Sequence, residues 1–195
     1  MDAKRWRRPN VLAVDDQPAN LVTLDAVLST DFDVIRASSG EEALSILQSR
    51  DDIDVILMDI QMPGMDGFVA AERIKQLPEC RDIPIVFVTA VYSEDPFIKH
   101  GYKVGAVDYF GKPFDPEILR LKVGIYASFH QKTDLLKVWA QQVEASEELL
   151  NAGRRFTAML ERQRLGVVVT EVESRLLEHE LERCIQRLES VGERV

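Results

Sequence analysis

Five polar side chains stand where short apolar segments of the chain end. They are Asp15 and Asp16 after the first segment, Asp59 after the third, Thr89 at the end of the fourth and Lys112 after the fifth. Three carboxylates brought together repel one another, and a hard divalent cation such as Mg²⁺ relieves that repulsion because it prefers oxygen ligands. A carboxylate beside Mg²⁺ can attack a phosphoryl donor, while an ammonium and a hydroxyl neutralise the phosphoryl oxygens. The pattern predicts a Mg²⁺-dependent site for phosphoryl transfer to an aspartate.

Apolar segments alternate with amphipathic segments over residues 10–128, which predicts five strand–helix units. The predicted strands are residues 11–14, 34–37, 54–58, 85–89 and 107–110, and the predicted helices are residues 20–29, 40–49, 67–77, 96–104 and a fifth that starts after Pro116. Strands without internal alternation are buried on both faces, as in a parallel sheet covered by helices on each side. Ligands of such doubly wound α/β sheets bind beyond the carboxyl ends of the strands, where the five polar side chains are expected to meet.

The segments that contain these side chains resemble the receiver domain of bacterial two-component response regulators. The matching segments are VLAVDD at residues 11–16, LMDIQMPGMDG at residues 57–67, VTA at residues 88–90 and GAVDYFGKPF at residues 105–114. The resemblance covers about residues 9–128, with the motifs in order and suitably spaced. It implies a flavodoxin-like receiver domain at residues 1–128, followed by a separate extension at residues 129–195.

The resemblance implies a role for each polar residue of the site. Asp59 would accept a phosphoryl group from a histidine kinase or a phosphotransfer protein, and Lys112 would pair with that group. Asp16 and Asp59 would bind Mg²⁺ directly. Asp15 would hold the ion through water, and Gln61 would contribute its backbone carbonyl.

Two further residues are implied to carry the change away from the site. Thr89 would move to hydrogen-bond the phosphoryl group, and Tyr109 would swing inward to fill the space. In the family, the surface that signals consists of the fourth helix, the fifth strand and the fifth helix. A tyrosine at a strand end is often only packed in the core with its hydroxyl in water, so the switch role of Tyr109 depends on the resemblance.

Residues 129–195 contain no proline and mix charged with apolar residues at helical spacing. A heptad seam with 4-3-4-3-4 spacing is formed by Leu177, Leu181, Cys184, Leu188, Val191 and Val195. Upstream, a seam interrupted by polar residues is formed by Leu135, Trp139, Leu149, Phe156 and Leu160. The pattern predicts a helical, coiled-coil-like extension that forms a homodimer or docks onto a partner protein, with Gly153 and Gly166 bending or ending a helix.

Composition excludes several classes of function. The chain of 195 residues has a formal net charge of −9, and an acidic surface repels nucleic-acid phosphates. No apolar run approaches the length of a membrane span, and no signal peptide follows the basic N-terminus, which predicts a cytoplasmic protein. Cys80 and Cys184 fit neither a metal site nor a disulfide framework. No cyclase, phosphodiesterase or phosphatase motif is found, so the chain is not expected to be an enzyme.

Two other hypotheses are left open by the sequence. In the first, the chain is a fragment of a larger signalling enzyme, such as a hybrid histidine kinase or a cyclic-dinucleotide enzyme. In the second, it is a phosphorelay intermediate that passes phosphate from Asp59 to a histidine. The segment Glu178-His179-Glu180-Leu181 resembles the phosphorylated histidine motif of sensor kinases, but the residues that normally follow it are replaced by Glu182-Arg183-Cys184-Ile185.

Overall fold

A computed structural model describes residues 7–90 and 100–192 of the chain. These residues divide into two compact units, one of residues 7–132 and one of residues 133–192. Among the described residues, no helix combines the length and the apolar composition that crossing a membrane requires.

The first unit is built on a five-stranded sheet in which every neighbouring pair of strands is parallel. The strands are β1 (Asn10–Val14), β2 (Asp33–Ala37), β3 (Ile53–Met58), β4 (Ile85–Thr89) and β5 (Asp108–Gly111). Their order in the sheet is β2-β1-β3-β4-β5, so the chain winds outward in both directions from β1 and β3. The doubly wound α/β fold predicted from the sequence is confirmed.

The described residues form six helices. They are α1 (Pro18–Leu28), α2 (Gly40–Ser49), α3 (Gly67–Gln76), α4 (described for residues 100–103 only), α5 (Pro116–Arg164) and α6 (Glu171–Gly192). The sequence predicts a start for the fourth helix at Pro96, which lies outside the described residues. Ser39 and Asp66 cap α2 and α3, because each side chain accepts a hydrogen bond from a backbone N–H of the first helical turn.

Two hydrophobic cores cover the two faces of the sheet. On one face α2 and α3 pack over side chains such as Leu12, Ile56 and Phe87. On the other face α1 and the first part of α5 pack over side chains such as Val11 and Leu57. Because β1, β3 and β4 are buried along their whole length, the carboxyl ends of these strands are held in fixed positions.

The turn after β3 depends on close contact between two backbone segments. The amide of Gly67 donates a hydrogen bond of 2.9 Å to the carbonyl oxygen of Ile60. A Cβ atom at position 67 would lie 2.1 Å from the carbonyl oxygen of Asp59 and 2.8 Å from the Cα of Ile60. Only glycine therefore allows α3 to begin this close to the end of β3, and this approach fixes the position of Asp59.

The second unit is an antiparallel pair made by the end of α5 and by α6. Arg155 pairs with Glu180, and Arg162 pairs with Glu173 at 2.8 Å. Residue numbers therefore rise along α5 as those of the partners on α6 fall, which is an antiparallel arrangement. Gly166, with a φ of 77°, lies in the turn between the helices as expected, whereas Gly153 lies within α5.

The described residues of the heptad seam lie against α5 of the same chain. Leu181 and Leu188 line one groove with residues of α5, Leu177 lines another, and Val191 is buried. Val195, the last predicted member of the seam, lies outside the described residues. Most of these seam residues are only half-buried, so self-association through the seam stays a prediction.

We expect Gly67→Ala to lower the free energy of unfolding by at least about 2 kcal/mol, because the new methyl group overlaps backbone atoms that cannot move aside. The matched control is Gly124→Ala within α5, where the nearest atom to a new Cβ is Cζ of Phe32 at 3.7 Å. That variant should be more stable by about 0.5–1 kcal/mol. Urea titration of both variants measures the two effects, and equal stability of the variants would contradict the proposed backbone constraint.

Candidate functional site

The parallel hydrogen-bond pattern continues past the strand ends and includes the backbone amides of Asp15 and Asp59. The amide of Asp15 donates to the carbonyl oxygen of Ala37 at 3.1 Å, and the amide of Asp59 donates to that of Val14 at 2.9 Å. Asp15 and Asp59 therefore leave neighbouring strands side by side. Carboxylate oxygens of Asp15, Asp16 and Asp59 all lie within 4.8 Å of one another, which makes a three-carboxylate cluster at this edge of the sheet.

Asp15 is a buried residue whose two carboxylate oxygens already have partners. Its Oδ1 accepts hydrogen bonds from the Gln17 amide and from Nδ2 of Asn20, both at 2.9 Å. Its Oδ2 accepts a hydrogen bond of 2.6 Å from the Nζ atom of Lys112. Because these donors hold it from three sides, Asp15 is suited to position Lys112 and to contact an ion through water.

Asp59 lies beside the same ammonium group, but its negative charge is less strongly balanced because Nζ of Lys112 is farther from it than from Asp15. Its Oδ1 accepts a hydrogen bond of 2.9 Å from the Ile60 amide and lies 3.4 Å from Nζ of Lys112. Burial raises the pKa of Asp59, the positive charge of Lys112 lowers it, and the negative charge of Asp15 raises it further, so that the net shift is upward. The ionised form of Asp59 is thus at a disadvantage in the protein without a bound cation.

Asp16 supplies the observation that tests whether a metal ion fits the cluster. Its Oδ1 atom is buried and has no hydrogen-bond partner among the described residues. An uncompensated buried carboxylate oxygen is costly, and Mg²⁺ is a partner that suits it. Three carboxylates and one ammonium also leave an excess of two negative charges, which one divalent cation balances. The residues therefore fit a Mg²⁺ site.

Gln61 lies two residues after Asp59, in the loop that connects β3 to α3, and its side chain is exposed. Its predicted contribution is the backbone carbonyl, and that contribution stays a prediction.

Lys112 is placed by a hydrogen bond of 2.8 Å from its amide to the carbonyl oxygen of Thr89, and the peptide bond between Lys112 and Pro113 is cis. The end of β5 is thereby fastened to the end of β4.

Thr89 and Tyr109 share one face of the sheet next to the cluster. Thr89 is fully buried at the end of β4, and Tyr109 is aligned with Phe87, two residues before Thr89. The rings of Tyr109 and Phe87 pack with a centroid separation of 5.5 Å. The Tyr109 hydroxyl is buried without a hydrogen-bond partner among the described residues. Burial, together with the charge of Asp59, raises the pKa of Tyr109 to about 12, so the phenol is neutral.

Two features of the site are absent from the sequence interpretation. Nδ2 of Asn20 donates hydrogen bonds to both carboxylate oxygens of Asp15. Asn20 lies five residues after Asp15 at the start of a helix, and this spacing could have predicted the contact. Asp108, next to Tyr109, accepts hydrogen bonds of 2.7 Å from Nζ of Lys122 and from the hydroxyl of Tyr126. Burial raises the pKa of Asp108, but these two donors, a hydrogen bond from the Tyr109 amide and the charge of Lys122 together outweigh burial and lower the pKa. This network fastens β5 to α5.

His179, the residue of the phosphorelay hypothesis, is exposed on α6 in the second unit. Its role in phosphotransfer stays a prediction.

The chain is similar to a large group of signalling proteins. The sequence profile of the response regulator receiver domain matches residues 11–124. The response regulator PleD of Caulobacter vibrioides is 38% identical over 128 residues, which cover 65% of this chain and 28% of PleD. The cyclic di-GMP phosphodiesterase response regulator RpfG of Xanthomonas campestris is 30% identical over 169 residues, covering 85% of this chain and 43% of RpfG. The chain spans less than half the length of both relatives.

A solved structure is also similar to the chain. The structure of the chemotaxis protein CheY4 of Vibrio cholerae aligns with a TM-score of 0.58 and 30% sequence identity. The alignment covers 62% of this chain and 99% of that chain.

We expect Asp16→Asn to reduce Mg²⁺ affinity more than Asp15→Asn, because Asp16 has an uncommitted oxygen whereas both oxygens of Asp15 already accept hydrogen bonds. Loss of a carboxylate that acts from outside the ligand shell typically costs about 10- to 100-fold in metal affinity, which is the range expected for Asp15→Asn. Isothermal titration with Mg²⁺ compares the variants. A larger loss for Asp15→Asn would exchange the two roles.

In the presence of a chelator, Asp59→Asn should raise the free energy of unfolding at pH 7. The pKa of Asp59 is raised in the folded protein, so folding favours the protonated carboxyl; this stabilisation is present at low pH and is lost as pH rises through the folded pKa. Asparagine does not ionise and avoids that loss, so the gain over the native chain should shrink toward acid pH. Asp51→Asn, which removes an exposed carboxylate, is the control. A gain that does not depend on pH would contradict the explanation.

Proposed function

The chain belongs to the response regulator receiver domain family, and on that basis we propose that Asp59 accepts a phosphoryl group from a histidine kinase or a phosphotransfer protein. The observation that carries the proposal is the cluster itself. Asp59 ends a central strand, Asp15 and Asp16 end its neighbour, and Lys112 lies within 3.4 Å of Asp59. No other group of three potential metal-binding acidic, histidine or cysteine side chains is found among the described residues.

In the proposed reaction a carboxylate oxygen of Asp59 attacks the phosphorus atom of a phosphohistidine. The new bond joins that oxygen to phosphorus, and the bond between phosphorus and the imidazole nitrogen breaks, so the electron pair leaves with the imidazole. Asp16, Asp59 and the carbonyl of Gln61 would hold Mg²⁺, with Asp15 acting through water, and the bound cation supplies positive charge for the phosphoryl oxygens. The Lys112 ammonium and the Thr89 hydroxyl donate hydrogen bonds to the same oxygens.

The proposed output is a change in protein–protein contacts. Residues 1–128 receive the signal and residues 129–195 deliver it, with Thr89 and Tyr109 altering the surface formed by α4, β5 and α5. The contacts of Asp108 with Lys122 and Tyr126 support this division, since they tie the strand that carries Tyr109 to α5. The continuity of α5 from Pro116 to Arg164 supports it too, since the helix that packs on the sheet is also part of the extension. The partners are a histidine kinase, a downstream protein and a second copy of the chain, in the cytoplasm.

A second candidate function is favoured by the length of one alignment. The match to RpfG covers 85% of the chain, whereas the receiver profile ends at residue 124, so the likeness to RpfG extends into the extension. In this alternative the chain is the regulatory part of a cyclic-dinucleotide enzyme, and α5 and α6 connect the receiver to the catalytic domain. The mass of the native protein in its cells tests this. A species of 22.1 kDa, the mass of these 195 residues, would contradict it.

Incubation with radiolabelled acetyl phosphate and Mg²⁺ should label the native chain, and Asp59→Asn should abolish the label. The matched control is Asp66→Asn, which removes another aspartate from the same loop and keeps a side chain able to cap α3. That variant should be labelled like the native chain. Undiminished, hydroxylamine-sensitive label in Asp59→Asn would overturn the assignment of the phosphoacceptor.

A further inference from the structure

The side of α5 that points away from α6 carries an apolar stripe in the second unit. Leu136, Trp139, Val143 and Leu150 follow one another at intervals of three, four and seven residues, which places them on one face of the helix. Each of these side chains is more than half exposed. We call these four residues the outer stripe. The face that α6 covers is different, since its buried residues are Ala145, Ala152 and Met159.

A groove next to the outer stripe is shaped to receive another helix. It has a volume of about 780 Å³ and is lined by Leu149, Leu150, Leu181 and Leu188 together with the small residues Ser146 and Gly153. A Cβ atom at Gly153 would meet no atom within 4 Å, so the helix surface at this point is open. Small residues beside a large apolar one let two helices approach closely and interlock their side chains.

The distribution of charge along α5 favours a second copy of this helix as the partner that binds the outer stripe. Residues 133–150 of α5 contain four acidic residues and one basic residue, whereas residues 151–164 contain four basic residues and one acidic residue. Several of these charges are already paired with α6, including Arg155 with Glu180 and Glu148 with Arg187. Glu147 and Arg154 flank Leu150 on the outer face, and among the described residues neither has an ion-pair partner.

We propose that a second copy of this chain docks on the outer stripe with its α5 antiparallel, so that Leu150 of each copy lies at the two-fold axis. In this arrangement Glu147 of each copy faces Arg154 of the other, and the acidic half of each helix lies beside the basic half of its partner. A parallel arrangement would place Glu147 beside Glu147 and Arg154 beside Arg154, which like-charge repulsion opposes. The two-fold pairing is self-complementary, as closed dimers require.

This inference specifies the self-association named in the proposed function and centres it on α5 rather than on the heptad seam of α6, although Leu181 and Leu188 of that seam line the adjoining groove. The seam faces α5 of its own chain, whereas the side chains of the outer stripe are each more than half exposed. With two α5–α6 hairpins meeting along their α5 helices, the dimer contact is a four-helix arrangement. Exposed apolar side chains such as Trp139 and Val143 are removed from water by it.

Sedimentation equilibrium on the full chain tests the pairing. Glu147→Arg and Arg154→Glu should each weaken the dimer about 10-fold, because each creates two like-charge contacts across the axis. The double variant, Glu147→Arg with Arg154→Glu, should restore the native dissociation constant. Glu182→Arg makes the same charge change on the outward face of α6 and should have no effect. A native chain that stays monomeric at tens of micromolar overturns the proposal, as does a double variant that is no tighter than either single variant.

Disulfide trapping tests the orientation independently. In a chain with Cys80 and Cys184 replaced by serine, Leu150→Cys should cross-link to itself, whereas Val143→Cys should not. Efficient cross-linking of both variants would indicate a parallel dimer and overturn the proposal.

Acetyl phosphate labelling of each variant is measured alongside, and it should equal that of the native chain. A failed charge exchange in variants that are labelled like the native chain would overturn the docking surface alone, whereas a native chain that takes no label would overturn the phosphoacceptor assignment alone.

Discussion

The packing of three carboxylates against one ammonium group is the interaction on which the rest of this structure depends. The sheet forces the contact, because the ends of β1 and β3 are neighbours and both are buried. Lys112 compensates part of the repulsion, with Asp15 at 2.6 Å and Asp59 at 3.4 Å, but an excess of negative charge remains. Burial and the charge of Asp15 together raise the pKa of Asp59 despite Lys112, and Oδ1 of Asp16 has no hydrogen-bond partner among the described residues. A divalent cation and a phosphoryl group each change this balance.

The same cluster is joined to the surface of the molecule by short, rigid contacts. Lys112 is fixed to β4 through the carbonyl oxygen of Thr89, and Tyr109 packs on Phe87 of the same strand. Asp108, the neighbour of Tyr109, holds Lys122 and Tyr126 on α5. We propose that a change of charge at Asp59 reaches α5 through this set of contacts. Coupling between two such sites typically amounts to about 1–3 kcal/mol, enough to shift an association equilibrium but too little to unfold a long helix.

The sequence predicts the first unit well because buried parallel strands determine where the residues after them lie. Apolar runs locate the five strands within one or two residues, and the carboxyl ends of parallel strands must bring Asp15, Asp59 and Lys112 to one edge. Contacts that depend on side-chain direction are harder to predict, and Asn20 with Asp15 is an example. The heptad seam of α6 shows a different limit. Its spacing indicates that the seam packs against another helix. The spacing does not distinguish α5 of the same chain from a helix of a second chain.

Hydrogen exchange across residues 133–192, with and without beryllofluoride and Mg²⁺, tests most directly whether a change at the carboxylate cluster reaches the extension. Beryllofluoride bound at Asp59 should alter protection along the end of α5 and along α6 in the native chain, with no loss of total helix, and should leave Asp59→Asn unchanged. Identical protection with and without beryllofluoride, in a native chain whose amides near Asp59 do respond, would contradict the account. The cluster would then act on the receiver surface alone.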